Sequence, residues 1–177
     1  RFLSTRTIGY DHIDLEYARN IGIHVGNATY ASESVADYTI MLILMALRKM
    51  KLVLQSAVSQ DYSFDAVLGS NLKGKTLGVI GTGAIGQTLI RHIAGFGCKI
   101  IAYNAHPKKE MEAYVTYVDL QTLYQNSDII TLHVPLNEDT QHLINADAFS
   151  MMKEGVILVN TARGGLIDNK ALIDAIE

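Results

Sequence analysis

Apolar residues fall into two kinds of stretch along this chain. Short, nearly uninterrupted runs occur at Leu77–Gly81, Lys99–Tyr103, Ile129–Val134 and Val156–Val159, each stopped by glycine, asparagine or proline. Between them, Leu89, Ile90 and Ile93, then 119–125 and 145–152, place apolar residues at helical spacing. A strand that reads apolar without alternation must be covered on both faces, and helices inserted between such strands provide that cover. With a further short strand over 114–118, the pattern predicts five strands from Leu77 onward, a helix over 84–96 closed by Gly97, and helices capped by Asp119 and Asp168. This alternation specifies an α/β fold built on a doubly wound parallel sheet. A sixth strand, usual for such a sheet, is expected after Glu177.

The first 27 residues read differently. A strand at Phe2–Thr5, a helix over 11–19 and a strand at Ile23–Val25 cannot bury both faces of a sheet by themselves. They read as the tail of another domain, giving a division into residues 1–27 and 28–177. From Ser32 or Ser34 to Ser59 a single long helix is predicted. Its middle, Ile40 to Met45, is apolar on every side and must be covered all round, by a second subunit or by a second domain. At eight residues, the apolar stretch Ile40–Leu47 is too short to span a bilayer, which needs about 20.

The loops after the strands carry the chemistry. Leu77–Ile80 runs into Gly81-Thr82-Gly83-Ala84-Ile85-Gly86 and then a helix. In this strand–turn–helix the first glycine makes the tight turn, the second lets the backbone approach a pyrophosphate, and the third lets helix and strand pack closely. The architecture is therefore the Rossmann-type dinucleotide-binding one, whose ligand lies at the carboxyl ends of the strands. Those ends are Gly81–Gly86, Asn104, Val134-Pro135 and Asn160–Gly165. Arg163 stands at the last of them and can grip a carboxylate through two parallel hydrogen bonds. Asn104, 18 positions after Gly86, occupies the place of the acidic residue that bonds the ribose hydroxyls and repels a 2′-phosphate. An amide repels nothing, and His106, Lys108 and Lys109 follow, so NADP is expected to be tolerated or preferred over NAD.

Composition narrows the remaining classes. The chain has 177 residues, 49% hydrophobic and 19% charged, with a net charge of −3, which provides neither a nucleic-acid patch nor a polybasic membrane anchor. One cysteine, Cys98, excludes an internal disulfide framework and fits a reducing cytoplasm. Arg1 in place of Met and a helical pattern still running at Glu177 read as cut ends. No Cys/His cluster has metal-ligand spacing, and His133 reads as packed within a strand rather than catalytic.

Five segments in order resemble the D-isomer-specific 2-hydroxyacid dehydrogenase family, and within it the lactate branch: Thr5–Asp14, Ser34–Tyr38, Gly78–Gly86, Leu132–Leu136 and Met152–Asp168. The resemblance implies that Arg163 is the catalytic arginine, binding the 2-keto acid carboxylate and polarising its carbonyl, and that Tyr30 faces the substrate. Backbone at Ile8-Gly9-Tyr10 would cradle the carboxylate. Gly81, Gly83, Ala84, Ile85 and Gly86 would hold the pyrophosphate. Asn104, Val134, Pro135, Thr140, Thr161, Ala162 and Arg163 would line the rest of a NAD or NADP site, with no metal. It also implies a flavodoxin-like substrate domain of which residues 1–27 are a fragment, and a homodimer formed through the helix over 34–59. The family's catalytic histidine and paired glutamate would lie after Glu177, so the 177 residues alone should bind cofactor weakly and catalyse nothing. The expected reaction is hydride transfer between a nicotinamide cofactor and a small 2-keto acid, pyruvate first. Reductases of the hydroxyisocaproate, glyoxylate or phosphoglycerate type are alternatives, as is a nucleotide-sensing corepressor-like module.

Overall fold

A computed structural model describes residues 1–7, 9, 10, 12–28, 31–63 and 68–177. The chain divides into two compact units, Arg1–Ser32 and Glu33–Glu177. In the first, β1 (Phe2–Thr5) pairs in parallel with β2 (His24–Asn27), in register from Phe2 opposite His24 to Thr5 opposite Asn27. The crossover between them is α1 (Leu15–Asn20), which starts later than its apolar spacing predicts. Asp14 sets that start: its carboxylate accepts the Tyr17 N–H at 2.8 Å, and Ile13 is tied back to the Tyr10 carbonyl in a turn.

The second unit opens with two helices where one was expected. α2 (Ser32–Leu47) stops, Lys49 takes a left-handed conformation (φ 50°), and α3 (Met50–Val58) begins anew. The cause lies further along the chain: the Ser70 N–H takes the Leu47 carbonyl at 2.8 Å, ending the ladder that a continuous helix would need. Burial also departs from expectation. Only the stripe Ala36, Thr39, Ile43 and Leu47 is buried, whereas Tyr38 and Met41 are exposed. The opposite face is an open apolar groove of about 500 Å³, formed by Ile40, Met41, Leu44 and Met45 with Asp37 and Arg48 beside them.

Then come β3 (Thr76–Ile80), α4 (Ala84–Ile93), β4 (Lys99–Tyr103), β5 (Thr116–Tyr117), α5 (Leu120–Asn126), β6 (Ile129–Leu132), α6 (Ala146–Met151), β7 (Ile157–Asn160) and α7 (Asn169–Ile176). The five strands form one parallel sheet in the order β5-β4-β3-β6-β7, so the chain moves outward from β3 in one direction and then crosses back to continue on the other side. The uninterrupted apolar runs are explained by the period of two. Leu77, Val79, Ile100, Ala102 and Ile129 face a core shared with α2 and α4, while Ile80, Ile101, Ile130 and Leu132 face one shared with α5 and α6. The helix expected over 84–96 ends its α-ladder at Ile93, tightens into a 3₁₀ turn over Ala94–Phe96, and closes at Gly97 (φ 74°).

Candidate dinucleotide and substrate-anion site

β3 and β6 lie side by side at the centre of the sheet, and the chain reverses its order there, so a crevice opens beyond their carboxyl ends. Gly81 leaves β3 with φ 98°, and a side chain there would meet the His133 carbonyl at 2.5 Å. Gly86 faces the Gly81 carbonyl so closely that no Cβ could fit, which seats α4 against the strand. Gly83 is the opposite: a Cβ built on it meets nothing within 4 Å. Gly83 is also the N-cap of α4 and supplies no side-chain cap, whereas Asp14, Asp119, Asn145 and Asp168 cap α1, α5, α6 and α7 with their side chains. The first N–H groups of α4, at Ala84 and Ile85, are thus left beside an open space, which is the arrangement a pyrophosphate requires.

Asn104 follows β4 and is fixed at both ends of its amide. Its Oδ1 accepts the Thr82 N–H at 3.0 Å, and its Nδ2 donates to the His106 carbonyl at 2.6 Å. Tyr117 braces the same loops: its hydroxyl lies 3.0 Å from the Thr82 Oγ1 and accepts the Lys108 N–H at 3.0 Å. Thr140 closes the turn after β6, donating to the Pro135 carbonyl at 2.6 Å and accepting the Asn137 N–H at 2.9 Å, so Pro135 and Thr140 belong to one rigid loop with Val134 at its start. His133 is partly buried beneath the glycine loop with its Nε2 3.0 Å from the Thr131 hydroxyl. Burial pushes its pKa down to about 4, so the ring is neutral.

The loop after β7 is organised by side chains. Asn160 accepts the Ala162 N–H at 2.9 Å and donates to the Arg163 carbonyl at 2.8 Å, folding 160–163 into a turn. The half-buried Arg163 guanidinium donates to the Ala162 carbonyl at 3.1 Å. Thr161 is anchored from α2: the Thr39 hydroxyl donates to the Val35 carbonyl at 2.7 Å and lies 2.9 Å from the Thr161 Oγ1. Having spent its single hydrogen on Val35, Thr39 must accept from Thr161. All of the expected cofactor residues lie on these carboxyl-end loops or on α4. Gly9 and Tyr10 belong to the first unit, where the Gly9 carbonyl accepts the Thr7 hydroxyl at 2.7 Å. Tyr30 and Ile8 lie outside the described residues.

Sequence reasoning missed Thr39 and Tyr117, and placed Asn160 at the ligand edge without giving it a role. A buried threonine in an apolar stripe is visible in the sequence, but its partner 122 positions away is not. The turn-forming role of Asn160 was legible, since an asparagine ending a buried strand is a local turn signal.

This constellation defines a dinucleotide-binding domain with Arg163 on the last of the carboxyl-end loops. The chain belongs to the D-isomer specific 2-hydroxyacid dehydrogenase family, whose NAD binding domain model matches residues 40–177. It is 46% identical over 177 residues to a D-specific alpha-keto acid dehydrogenase of Enterococcus faecium, covering 100% of this chain and 54% of that protein. A D-lactate dehydrogenase of Aquifex aeolicus, solved with NAD and lactic acid, superposes with a TM-score of 0.93 at 38% identity, over 99% of this chain and 54% of its own. A pyruvate reductase of Chlamydomonas reinhardtii superposes with a TM-score of 0.91 at 40% identity, over 99% and 52%. The chain spans about half the length of the curated relatives it matches. Among the described residues no helix is long and apolar enough to cross a membrane.

Proposed function

We propose that this chain supplies the cofactor-binding half of an NAD(P)-dependent oxidoreductase that interconverts a 2-keto acid and a D-2-hydroxy acid, with pyruvate and D-lactate as the first pair to test. The observation that carries the reading is the pairing, at one sheet edge, of an uncapped helix N-terminus behind an open glycine with a side-chain-built loop that presents Arg163. The family membership and the similarity to a D-lactate dehydrogenase that holds NAD and lactic acid support it.

In this reading Ala84 and Ile85 bind the pyrophosphate through their N–H groups, and Gly83 leaves room for it. Val134, Pro135, Thr140, Thr161 and Ala162 line the nucleoside parts. When bound, the nicotinamide supplies the hydride. Arg163 orients the substrate carboxylate and stabilises negative charge growing on the keto oxygen, and a substrate-side role is assigned to Tyr30 from the family resemblance alone. The proton for that oxygen is assigned to a histidine kept protonated by a glutamate, the pair that the family resemblance implies. The apolar groove on α2 is assigned to a second copy of the chain, giving a homodimer, and a single half-buried cysteine fits a cytoplasmic setting.

Steady-state reduction of pyruvate, branched and aromatic 2-keto acids by the intact protein, with chiral analysis of the product, tests the reading. A D-configured 2-hydroxy acid is the expected product. Tight dinucleotide binding with no turnover of any 2-keto acid would replace the enzyme with a nucleotide-sensing module.

A further inference from the structure

The turn after β4 is built around a neutral amide, and this bears on which dinucleotide the site takes. Asn104 holds two opposed partners: an N–H from Thr82 on its oxygen and the His106 carbonyl on its nitrogen. A carboxylate in that pose would satisfy Thr82 but would set a second oxygen against the His106 carbonyl, 2.6 Å away where a donor now sits. The acidic residue that normally rejects a 2′-phosphate is therefore incompatible with this turn as folded. One lone pair of the amide oxygen and one hydrogen of the amide nitrogen remain for a ligand, so the same side chain can accept from a ribose hydroxyl or donate to a phosphate oxygen.

The residues that follow favour the phosphate. Ala105 to Lys109 are all exposed, and His106, Lys108 and Lys109 occur there without an acidic residue; Glu110 follows in the 3₁₀ turn over Lys109–Met111, and Glu112 just after it. The backbone of this segment is fixed at two points, His106 through its carbonyl and Lys108 through the N–H that Tyr117 accepts. Tyr117 in turn touches Thr82 of the glycine loop. The cationic segment is thus tied to the loop that would hold the pyrophosphate.

Resting on the dinucleotide-binding reading above, we infer that the site accepts a 2′-phosphate, with Asn104 as the permissive residue and the His106 and Lys108 side chains as the phosphate contacts. NADP then binds with an affinity comparable to that of NAD, or more tightly. Calorimetric titration of the intact protein with NAD, NADP, 5′-AMP and 2′,5′-ADP tests this without turnover. The expected result is an NADP Kd within about threefold of the NAD Kd or below it, and 2′,5′-ADP binding more tightly than 5′-AMP. The double variant H106A/K108A should weaken NADP by about tenfold or more while moving NAD by less than about twofold, since charge-assisted hydrogen bonds are lost only from the phosphate. N104D should turn preference toward NAD by about tenfold or more. Because that variant also opposes the His106 carbonyl, the double variant decides if N104D unfolds. An unmodified protein that binds NAD more than about tenfold tighter than NADP overturns the inference and leaves the parent reading intact. A double variant that weakens both cofactors equally overturns the assignment of the phosphate contacts. Failure of all four ligands to bind overturns the parent reading itself.

Discussion

Two loops leave the same edge of the same sheet, one after β3 and one after β7, and they are made in opposite ways. The glycine loop is shaped by missing side chains: Gly81 turns, Gly86 lets α4 touch the strand, and Gly83 leaves a void. The arginine loop is shaped by side chains that are present: Asn160 folds it, and Thr161 is pinned to Thr39 of α2. The first is set by backbone clearances, within its own turn and against the His133 carbonyl, with Asn104 and Tyr117 bracing it at Thr82. The second depends on a helix that joins the sheet from far along the chain. A backbone cradle suits a ligand part common to every dinucleotide, whereas a side-chain loop can place one charged group where a particular substrate needs it.

Arg163→Gln attacks the second loop at its chemical point and should have the largest effect. Losing a preorganised cation at a developing oxyanion costs on the order of 10²–10³ in kcat. Loss of the bidentate carboxylate contact adds to KM, so kcat/KM should fall by about 10⁴, with dinucleotide affinity changing less than about threefold. If kcat/KM stayed within tenfold, Arg163 would not be the substrate-side anion partner.

The glycines of the first loop can be separated from one another. Gly86→Ala drives a Cβ into the Gly81 carbonyl, a backbone atom that cannot rotate away, and should cost about 3 kcal/mol in urea-induced unfolding along with dinucleotide binding. Gly83→Ala places its methyl where the protein has nothing within 4 Å, at a φ of −71° that alanine adopts freely. Its stability should change by less than about 1 kcal/mol, while NAD affinity falls by about tenfold or more. Equal losses of stability in the two variants would show that the space beside Gly83 is not ligand space.

The same contrast explains what could be read from the sequence. The sheet was legible because both its faces are buried, so Leu77–Ile80 and Ile129–Leu132 carry no polar alternation to obscure them. The glycine loop, Asn104 and Arg163 were legible as positions after such strands. Three things were not. The break between α2 and α3 depends on Ser70 reaching the Leu47 carbonyl, and no breaker residue marks it in a run from Ser34 to Ser59. The exposed face of α2 read as buried because an apolar pattern records that a surface will be covered, not by which molecule. The two partners of the Asn104 amide, and hence the turn's demand for an amide, appear only once β4, the glycine loop and His106 are placed together.

His133 ties the first loop to pH. Its ring is neutral beneath Gly81, with a pKa near 4 against about 6.5 in an unfolded chain. Below pH 6.5 the unfolded state binds a proton that the folded state refuses until about pH 4. The stabilisation from keeping this ring neutral is therefore complete above pH 6.5 and is lost as pH falls to 4. A gap of this size corresponds to about 3 kcal/mol. Chemical unfolding at pH 7 and pH 4.5 should show wild type losing about 2 kcal/mol more than His133→Asn over that interval. Parallel losses would place the acid sensitivity elsewhere, with Asp128 next in line. Burial raises its carboxyl, but hydrogen bonds from Lys153 and the Thr76 N–H and the charges of Lys153 and Lys75 hold it low overall.

The smallest effect isolates the long-range pin of the arginine loop. Thr39→Val keeps the shape of a fully buried side chain and removes one hydroxyl, leaving the Thr161 O–H without its acceptor. Loss of one such pair costs about 1 kcal/mol, or about 2–4 °C in Tm for a chain of this size. Stability alone would not distinguish a pin from ordinary packing, because any buried hydroxyl gives a similar figure. The loop supplies the second readout: with Thr161 released, Ala162 and Arg163 lose their register against α2, and kcat should fall several-fold while dinucleotide Kd, set by the glycine loop, stays put. Thr39→Ser retains the hydroxyl and loses only a methyl group, so it should restore kcat even where its Tm is no higher than that of the valine variant. A serine variant that matched valine in kcat would mean that the methyl packing of Thr39, not its hydrogen bond, holds the arginine loop in place.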